Sequence, residues 1–186
     1  VRLILEKPSL SIHTNVNGTE NVVHAASSRG KMVIIASTSE VYGKSRRMPF
    51  AEEDDLVLGS TANLRWSYAC AKALDECLAL AYAQEKKLSA IIVRLFNTTG
   101  PRQTGHYGMV LPGFVSQALK GEPITIYGDG SQTRSFCYVD DLVDALMRLM
   151  ATDDRVTGPM NVGNPREFTI LQLAEEVIRQ TRSRSK

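Results

Sequence analysis

The sequence predicts an α/β protein built on a parallel sheet, and three observations predict it. Two short, uninterrupted apolar runs, Met32 to Ala36 and Ala90 to Val93, have the composition of parallel strands buried on both faces. Between them lies a long Ala- and Leu-rich stretch, about Leu64 to Lys86, closed by Lys86-Lys87, charges suited to a helix C-terminus. Strand, long helix, strand is the crossover that parallel sheets require. With 186 residues, 43% hydrophobic and 23% charged, the chain has the composition of a globular domain with room for a small annex.

Ahead of the first strand, Ser9 to Ser28 predicts a helix whose core candidates are Ile12, Val16, Val22 and Val23, with Gly30 as its left-handed stop. After the strand come Ser37-Thr38-Ser39-Glu40 and a loop holding Gly43, Pro49 and the acidic run Glu52 to Asp55. Beyond Phe96 the pattern changes. Glycine and proline recur from Gly100 to Gly113, then a short helix runs to Lys120. Ile124-Thr125-Ile126-Tyr127 predicts a strand with a turn at Gly128-Asp129-Gly130, and Ser135 to Val139 a second extended piece. Asp140 or Asp141 is placed to cap a helix reaching Met150. Asn161-Val162-Gly163 and a helix from Ile170 to Gln180 close the sequence. The expected division is residues 1–100 and a smaller lobe over 101–186, with some elements interleaved.

Charge and composition exclude several function classes. Lys plus Arg number 22 against 20 Asp plus Glu, a net charge of +2, so neither nucleic acid nor an acidic membrane surface is an expected partner. No apolar run approaches the ~18 residues that span a bilayer. Cys70, Cys77 and Cys137 are too scattered for a disulfide framework or a zinc site, and the histidines are scattered too, so no metal is expected. A cytoplasmic protein is the expectation.

Tyr68 and Lys72 stand four apart on the long helix and therefore share a face. A tyrosine is a weak base near its ordinary pKa of ~10, and a neighbouring ammonium favours the phenolate. Thr38, Ser39 and Glu40 fall at the C-terminal end of the preceding strand, where open parallel sheets place ligands. A hydroxyl there can bond the oxygen that a tyrosinate deprotonates.

The strand-end motif Ser37-Thr38-Ser39-Glu40-Val41-Tyr42-Gly43, followed by Tyr68-Ala69-Cys70-Ala71-Lys72, resembles the extended short-chain dehydrogenase/reductase family, in its nucleotide-sugar epimerase, dehydratase and decarboxylase branch. Asn15-Val16-Asn17-Gly18-Thr19, Arg94 to Arg102, Ile126 to Arg134 and Asn161-Val162-Gly163 are similar to further segments of that family, in order and at suitable spacing. The resemblance implies a Rossmann-type doubly wound sheet, here without its first strands, with a small C-terminal α/β substrate lobe. It implies NAD as cofactor and a nucleotide sugar, UDP-linked, as substrate. Tyr68 would take the 4-hydroxyl proton while the C4 hydride passes to NAD. Lys72 would hold the nicotinamide ribose and lower the Tyr68 pKa, and Thr38 would bond the 4-oxygen. Glu40 joins the catalytic set; Asn15 and Ser37 join the cofactor contacts; Ser39, Asn97, Val110, Tyr127 and Arg134 are the implied substrate contacts. Asn97 and Arg134 would hold the diphosphate, with Tyr127 and Val110 beside the base. A homodimer through a four-helix contact that includes the Tyr68 helix is implied for the full-length form.

Other residues have plainer readings. Tyr42 reads as a packing residue, Cys70 and Cys77 as small helix residues, and the Asp54-Asp55 and Asp140-Asp141 pairs as solvated loop and cap charges. The Gly100 to Gly105 spacing mimics a phosphate loop, but His106 stands where lysine is required. Dehydratases of the branch carry Asp directly after the strand-end Thr; Ser39 occupies that position and disfavours a 4,6-dehydratase. Thr-Ser-Glu resembles the UDP-glucuronate decarboxylases, and some UDP-sugar 4-epimerases are similar. No Gly-x-x-Gly-x-x-Gly triplet occurs, and the chain opens on Val1. Two expectations follow: the central part of an enzyme whose complete form uses NAD, the chain alone being inactive, or a remnant or interaction module without redox activity.

Overall fold

A computed structural model describes residues 2–105 and 109–186, with side chains from Ile4 onward. His106, which stands where a phosphate loop requires lysine, lies outside the described residues. The chain divides into two compact units, Val1–Phe96 with Val143–Val162, and Asn97–Leu142 with Gly163–Lys186.

In the first unit a short helix α1 (Arg2–Glu6) leads into α2 (Pro8–Ser28), whose proline sits at the helix start, where its missing N–H does no harm. Gly30, with φ +56°, turns the chain out of the helix as expected. Strands β1 (Val33–Thr38) and β2 (Ala90–Leu95) pair in parallel across α3 (Ser67–Lys86), with Val33 opposite Ala90 and Thr38 opposite Leu95. The sheet order places β2 between β1 and the later strand β6, Met160–Val162, which also runs parallel. Val23 of α2, Ala79 of α3, Ile35 of β1 and Ala90 and Ile92 of β2 form one apolar cluster with Leu88. Each fully buried Val, Ile or Leu side chain there contributes about 1.5–3 kcal/mol.

Two expectations need correction here. Of the predicted α2 core, only Val23 is fully buried; Ile12 and Val22 are 38% and 51% exposed. Val22 lies one residue, about 100° of helix, off the stripe that Val23 and Ala26 press onto the sheet. Only β2 is buried on both faces. On β1, Ile35 and Ser37 are buried while Ala36 between them is exposed. β1 is the end strand of its sheet, and the cluster with α2 and α3 covers the Ile35 side.

The predicted long helix starts three residues later than its sequence suggests, because Leu64–Trp66 forms a 3-10 turn opened by the Asn63 side chain. A second 3-10 turn, Ser39–Tyr42, follows β1 directly, and the Thr38 Oγ1 accepts the Glu40 N–H at 3.2 Å. Its exit is Gly43, at φ +63°, where a Cβ would stand 2.3 Å from the Val57 carbonyl oxygen. Only glycine meets both conditions.

In the second unit, β3 (Thr98–Thr99) pairs in parallel with β5 (Cys137–Tyr138), and β4 (Thr133–Ser135) runs antiparallel to β7 (Glu167–Thr169). Helices α4 (Val110–Lys120) and α6 (Ile170–Thr181) share a core of Phe114, Ala118, Ile170, Leu173, Ala174 and Val177. A complete capping box between Thr169 and Gln172 opens α6. The segment Ile124 to Tyr127 is not a strand. Its apolar Ile124 and Ile126 pack on the helical core, while the Ile124 N–H donates to the Lys186 carbonyl and the Thr125 N–H to the Gln117 side chain. Alternating side chains were present; a partner strand was not. Asp140 and Asp141 lie in the first turn of α5 (Val139–Met150), not at its cap, and favour the helix through its dipole.

Candidate active site

The first unit brings four of the predicted residues to the C-terminal end of β1. Thr38 ends the strand, Glu40 sits in the 3-10 turn that packs on α3, and Tyr68 and Lys72 occupy one face of the first turns of α3. Glu40 is ion-paired with Arg65, three residues ahead of Tyr68. The Lys72 ammonium is buried and donates to Asp75 Oδ2 at 2.8 Å, with Asp75 wholly enclosed.

The surroundings of Tyr68 push its phenol upward. Burial raises its phenol above the ordinary value of 10.0, and the Glu40 and Asp75 carboxylates push the same way. Lys72, whose ammonium would favour the phenolate, is itself paired with Asp75.

Behind the site runs a buried polar network that sequence reading missed. Glu76, the neighbour of Asp75, accepts a close hydrogen bond from the Ser37 hydroxyl and two from Arg94, Nε at 3.0 Å and Nη2 at 2.8 Å. Arg94 also donates to the Glu52 carbonyl at 3.0 Å and lies 4.7 Å from the centre of the Tyr42 ring. Tyr42 is fully buried, stacked on Phe50, and donates its hydroxyl to Asn161 Oδ1 at 2.8 Å. It is the packing residue expected, with a polar tip that ties the strand-end turn to β6. The signal for Glu76 and Arg94 was present in the sequence: a charged residue inside the run Ala90 to Leu95 demands a buried partner.

The other predicted residues are placed as follows. The Ser37 hydroxyl is spent on Glu76, and Ser39 is half-buried at the start of the 3-10 turn. Asn15, on α2, donates to the Ser11 carbonyl at 2.7 Å. In the second unit Asn97 donates to the carbonyl of Ser135 at 3.0 Å, which sets it close to Arg134, whose guanidinium is exposed. Tyr127 is 84% exposed, and Val110 packs on the helical core. Asp54 is not the solvated charge expected: its carboxylate is enclosed, accepts the Ala51 N–H at 2.8 Å and pairs with Arg47. Among the described residues no cluster of His, Cys, Asp and Glu could hold a metal, and no helix is long and apolar enough to cross a membrane.

A parallel α/β sheet with a Tyr-x-x-x-Lys stripe beside a strand-end threonine defines a Rossmann-type protein of the short-chain dehydrogenase/reductase class. Residues 1–163 match the NAD dependent epimerase/dehydratase family, and the chain belongs to that family. It is 45% identical, over its whole length and 57% of the relative's, to a UDP-N-acetyl-alpha-D-glucosaminuronate decarboxylase of Bacillus cytotoxicus. It is 44% identical, over 91% of the chain and 49% of the relative, to UDP-glucuronic acid decarboxylase 5 of Arabidopsis thaliana. Among solved structures it resembles the UDP-N-acetylglucosamine 4-epimerase of Methanobrevibacter ruminantium, with a TM-score of 0.88 at 30% identity over 96% of this chain and 56% of that one. A UDP-glucuronic acid 4-epimerase of Bacillus cereus, solved with UDP-glucuronic acid and NAD, aligns with a TM-score of 0.82 at 26% identity over 94% of this chain and 54% of that one. The chain thus spans about half the length of the relatives it matches.

Proposed function

We propose that this chain is the central part of an NAD-dependent nucleotide-sugar enzyme working through a 4-keto sugar, and that its reaction is decarboxylation of UDP-glucuronate. One observation carries the reading: Tyr68 and Lys72 share a face of α3, and the turn that follows Thr38 packs on that helix with its Glu40 carboxylate acting on Tyr68. The two decarboxylase relatives support the choice of reaction. The donor set, an ammonium, a phenol and a hydroxyl, fits the nicotinamide ribose and the sugar 4-oxygen. Among these 186 residues no glycine triplet is present to seat a pyrophosphate. NAD, when bound, would accept and later return the C4 hydride.

The residues do the rest. Tyr68 takes the proton of the 4-hydroxyl, a step that requires its phenol to be ionised, and Thr38 holds that oxygen in place. The resulting ketone lies β to the C6 carboxylate, so the electrons of the C5–C6 bond move into the C4 carbonyl as CO₂ leaves. C5 then takes a proton from water in place of the lost carboxylate, and Tyr68 gives its proton back to the 4-oxygen when the ketone is reduced. No net oxidation occurs. In this reading the first unit serves the cofactor and the second, through Asn97 and Arg134, the diphosphate, Arg134 suited by its planar charged fork. A homodimer is part of the proposal; α3 presents Leu74 and Leu80 at 51% and 38% exposure.

A second reading, 4-epimerisation, is favoured by the two epimerase structures. Mass spectrometry on the products separates the two, using the protein that carries this chain at the length of its relatives, with NAD and UDP-glucuronate. A UDP-pentose with release of CO₂ supports decarboxylation. A UDP-hexuronate isomer of unchanged mass establishes epimerisation instead, and unreacted substrate with both UDP-glucuronate and its N-acetylglucosamine-derived analogue sinks both.

A further inference from the structure

Tyr68, Lys72 and Asp75 stand at i, i+4 and i+7 on α3, a single stripe two turns long. The proposed reaction employs Tyr68 and Lys72 and gives Asp75 no part. Asp75 is 0% exposed, its Oδ2 accepts from Lys72 at 2.8 Å, and its Oδ1 has no partner. A buried carboxylate with an orphan oxygen is unfavourable for folding alone, and its charge acts strongly through the weakly polarisable interior.

We infer that Asp75 is a positioning residue of the active site: it anchors the Lys72 ammonium and, as a buried negative charge on the same stripe, tempers the pull of that ammonium on the Tyr68 proton. The inference rests on the reading of Tyr68 as the acid–base group. The direction of the Tyr68 shift agrees with it: burial raises the phenol most, Glu40 next, and Asp75 pushes the same way. Among the described residues, other charged groups on the elements packed against α3 have their own places. Glu40 faces it from the 3-10 turn and is paired with Arg65 of the preceding turn. From β2, Arg94 is bound to Glu76, and the Tyr42 hydroxyl is bound to Asn161. β1 carries no ionisable side chain, and His13, Glu20 and His24 of α2 are exposed. Asp75 thus opposes what Lys72 would do alone, and Tyr68 is set to hold and return a proton as well as to take one.

The test follows the proton and not turnover. Tyrosine ring-carbon NMR on this chain, with the Tyr68 signal assigned by its loss in Tyr68→Phe, gives the Tyr68 midpoint directly. Asp75→Asn, nearly isosteric, is expected to move that midpoint down, and Glu40→Gln to move it down independently. An unmoved midpoint in folded Asp75→Asn overturns the inference. Lysine side-chain nitrogen NMR on the unmutated chain covers the case in which Asp75→Asn does not fold. A Lys72 ammonium in slow exchange, its shift following Asp75 in an acid titration, supports the pair; fast exchange like that of surface lysines overturns it. In the protein at the length of its relatives, Asp75→Asn is expected to move the acid limb of the pH–rate profile to lower pH. Expected midpoints in a protein inert towards UDP-sugars defeat the enzyme reading alone. Turnover with an unmoved midpoint defeats the inference alone.

Discussion

Arg94→Met isolates the buried ion pair beneath the site. Arg94 and Glu76 have side chains 5% exposed each, and the guanidinium meets the carboxylate through two bonds of 2.8 and 3.0 Å. The substitution keeps most of the volume and leaves Glu76 buried with only the Ser37 hydroxyl. Breaking one side of such a pair costs about 3–5 kcal/mol, since the surviving charge loses its partner without regaining water. For a chain of this size that is a fall in Tm of roughly 6–20 °C. Arg94→Lys keeps a charge but not the fork, and is expected to lose about 1.5–3 kcal/mol, the worth of one charge-assisted bond. Arg94→Met with Glu76→Leu removes both charges and is expected to recover most of the loss. Urea unfolding followed by the fluorescence of Trp66, the sole tryptophan and a residue of the same unit, measures all three. A single-variant loss below about 1 kcal/mol, or a double variant no better than the single, would refute the reasoning.

Gly43→Ala is expected to destabilise the first unit by more than about 1 kcal/mol, because the position needs positive φ and a Cβ meets the Val57 carbonyl; an unchanged urea midpoint contradicts this. Thr169→Ala removes half of the α6 capping box and is expected to cost about 1 kcal/mol, read as faster hydrogen exchange in the first turns of that helix. Glu176 is held down to about 2 by hydrogen bonds from Arg179 and Gln180. Its folded pKa lies below the ordinary 4.5, so its contribution to stability is present above 4.5 and lost as pH falls through about 2. Carboxyl NMR should find that midpoint, and Arg179→Ala should return it towards the ordinary range.

The sequence was legible where one local rule decided the outcome. Alanine and leucine over α3, the apolar runs of β1 and β2 and the turn at Gly30 left few alternatives, and the helix period alone put Tyr68 and Lys72 on one face. It was less legible where a partner decided. Ile124 to Tyr127 alternates like a strand but finds α4, α6 and the C-terminal carbonyl in place of a neighbouring strand. Val22 and Val23 are chemically alike, and only the angle of α2 on the sheet buries one and exposes the other. At the site, spacing revealed the catalytic candidates but not the charges that tune them. Lys72 was expected to lower the Tyr68 pKa; burial, Glu40 and Asp75 push it upward, and Asp75, one turn past the lysine, pairs with that ammonium. Asp75 and Glu76 lie seven and eight residues beyond Tyr68 and could have been found by following the helix stripe one turn past the lysine.

The most direct measurement is a single turnover by the protein that carries this chain at the length of its relatives, with and without Tyr68→Phe. UDP-glucuronate and NAD are mixed with each, and reduced nicotinamide is followed by absorbance while the sugar is sampled for its 4-keto form. The unsubstituted protein should show a transient of reduced cofactor and the ketone, and Tyr68→Phe neither, with UDP-sugar binding retained. Undiminished ketone formation by Tyr68→Phe would mean that the stripe on α3 is not where the proton goes.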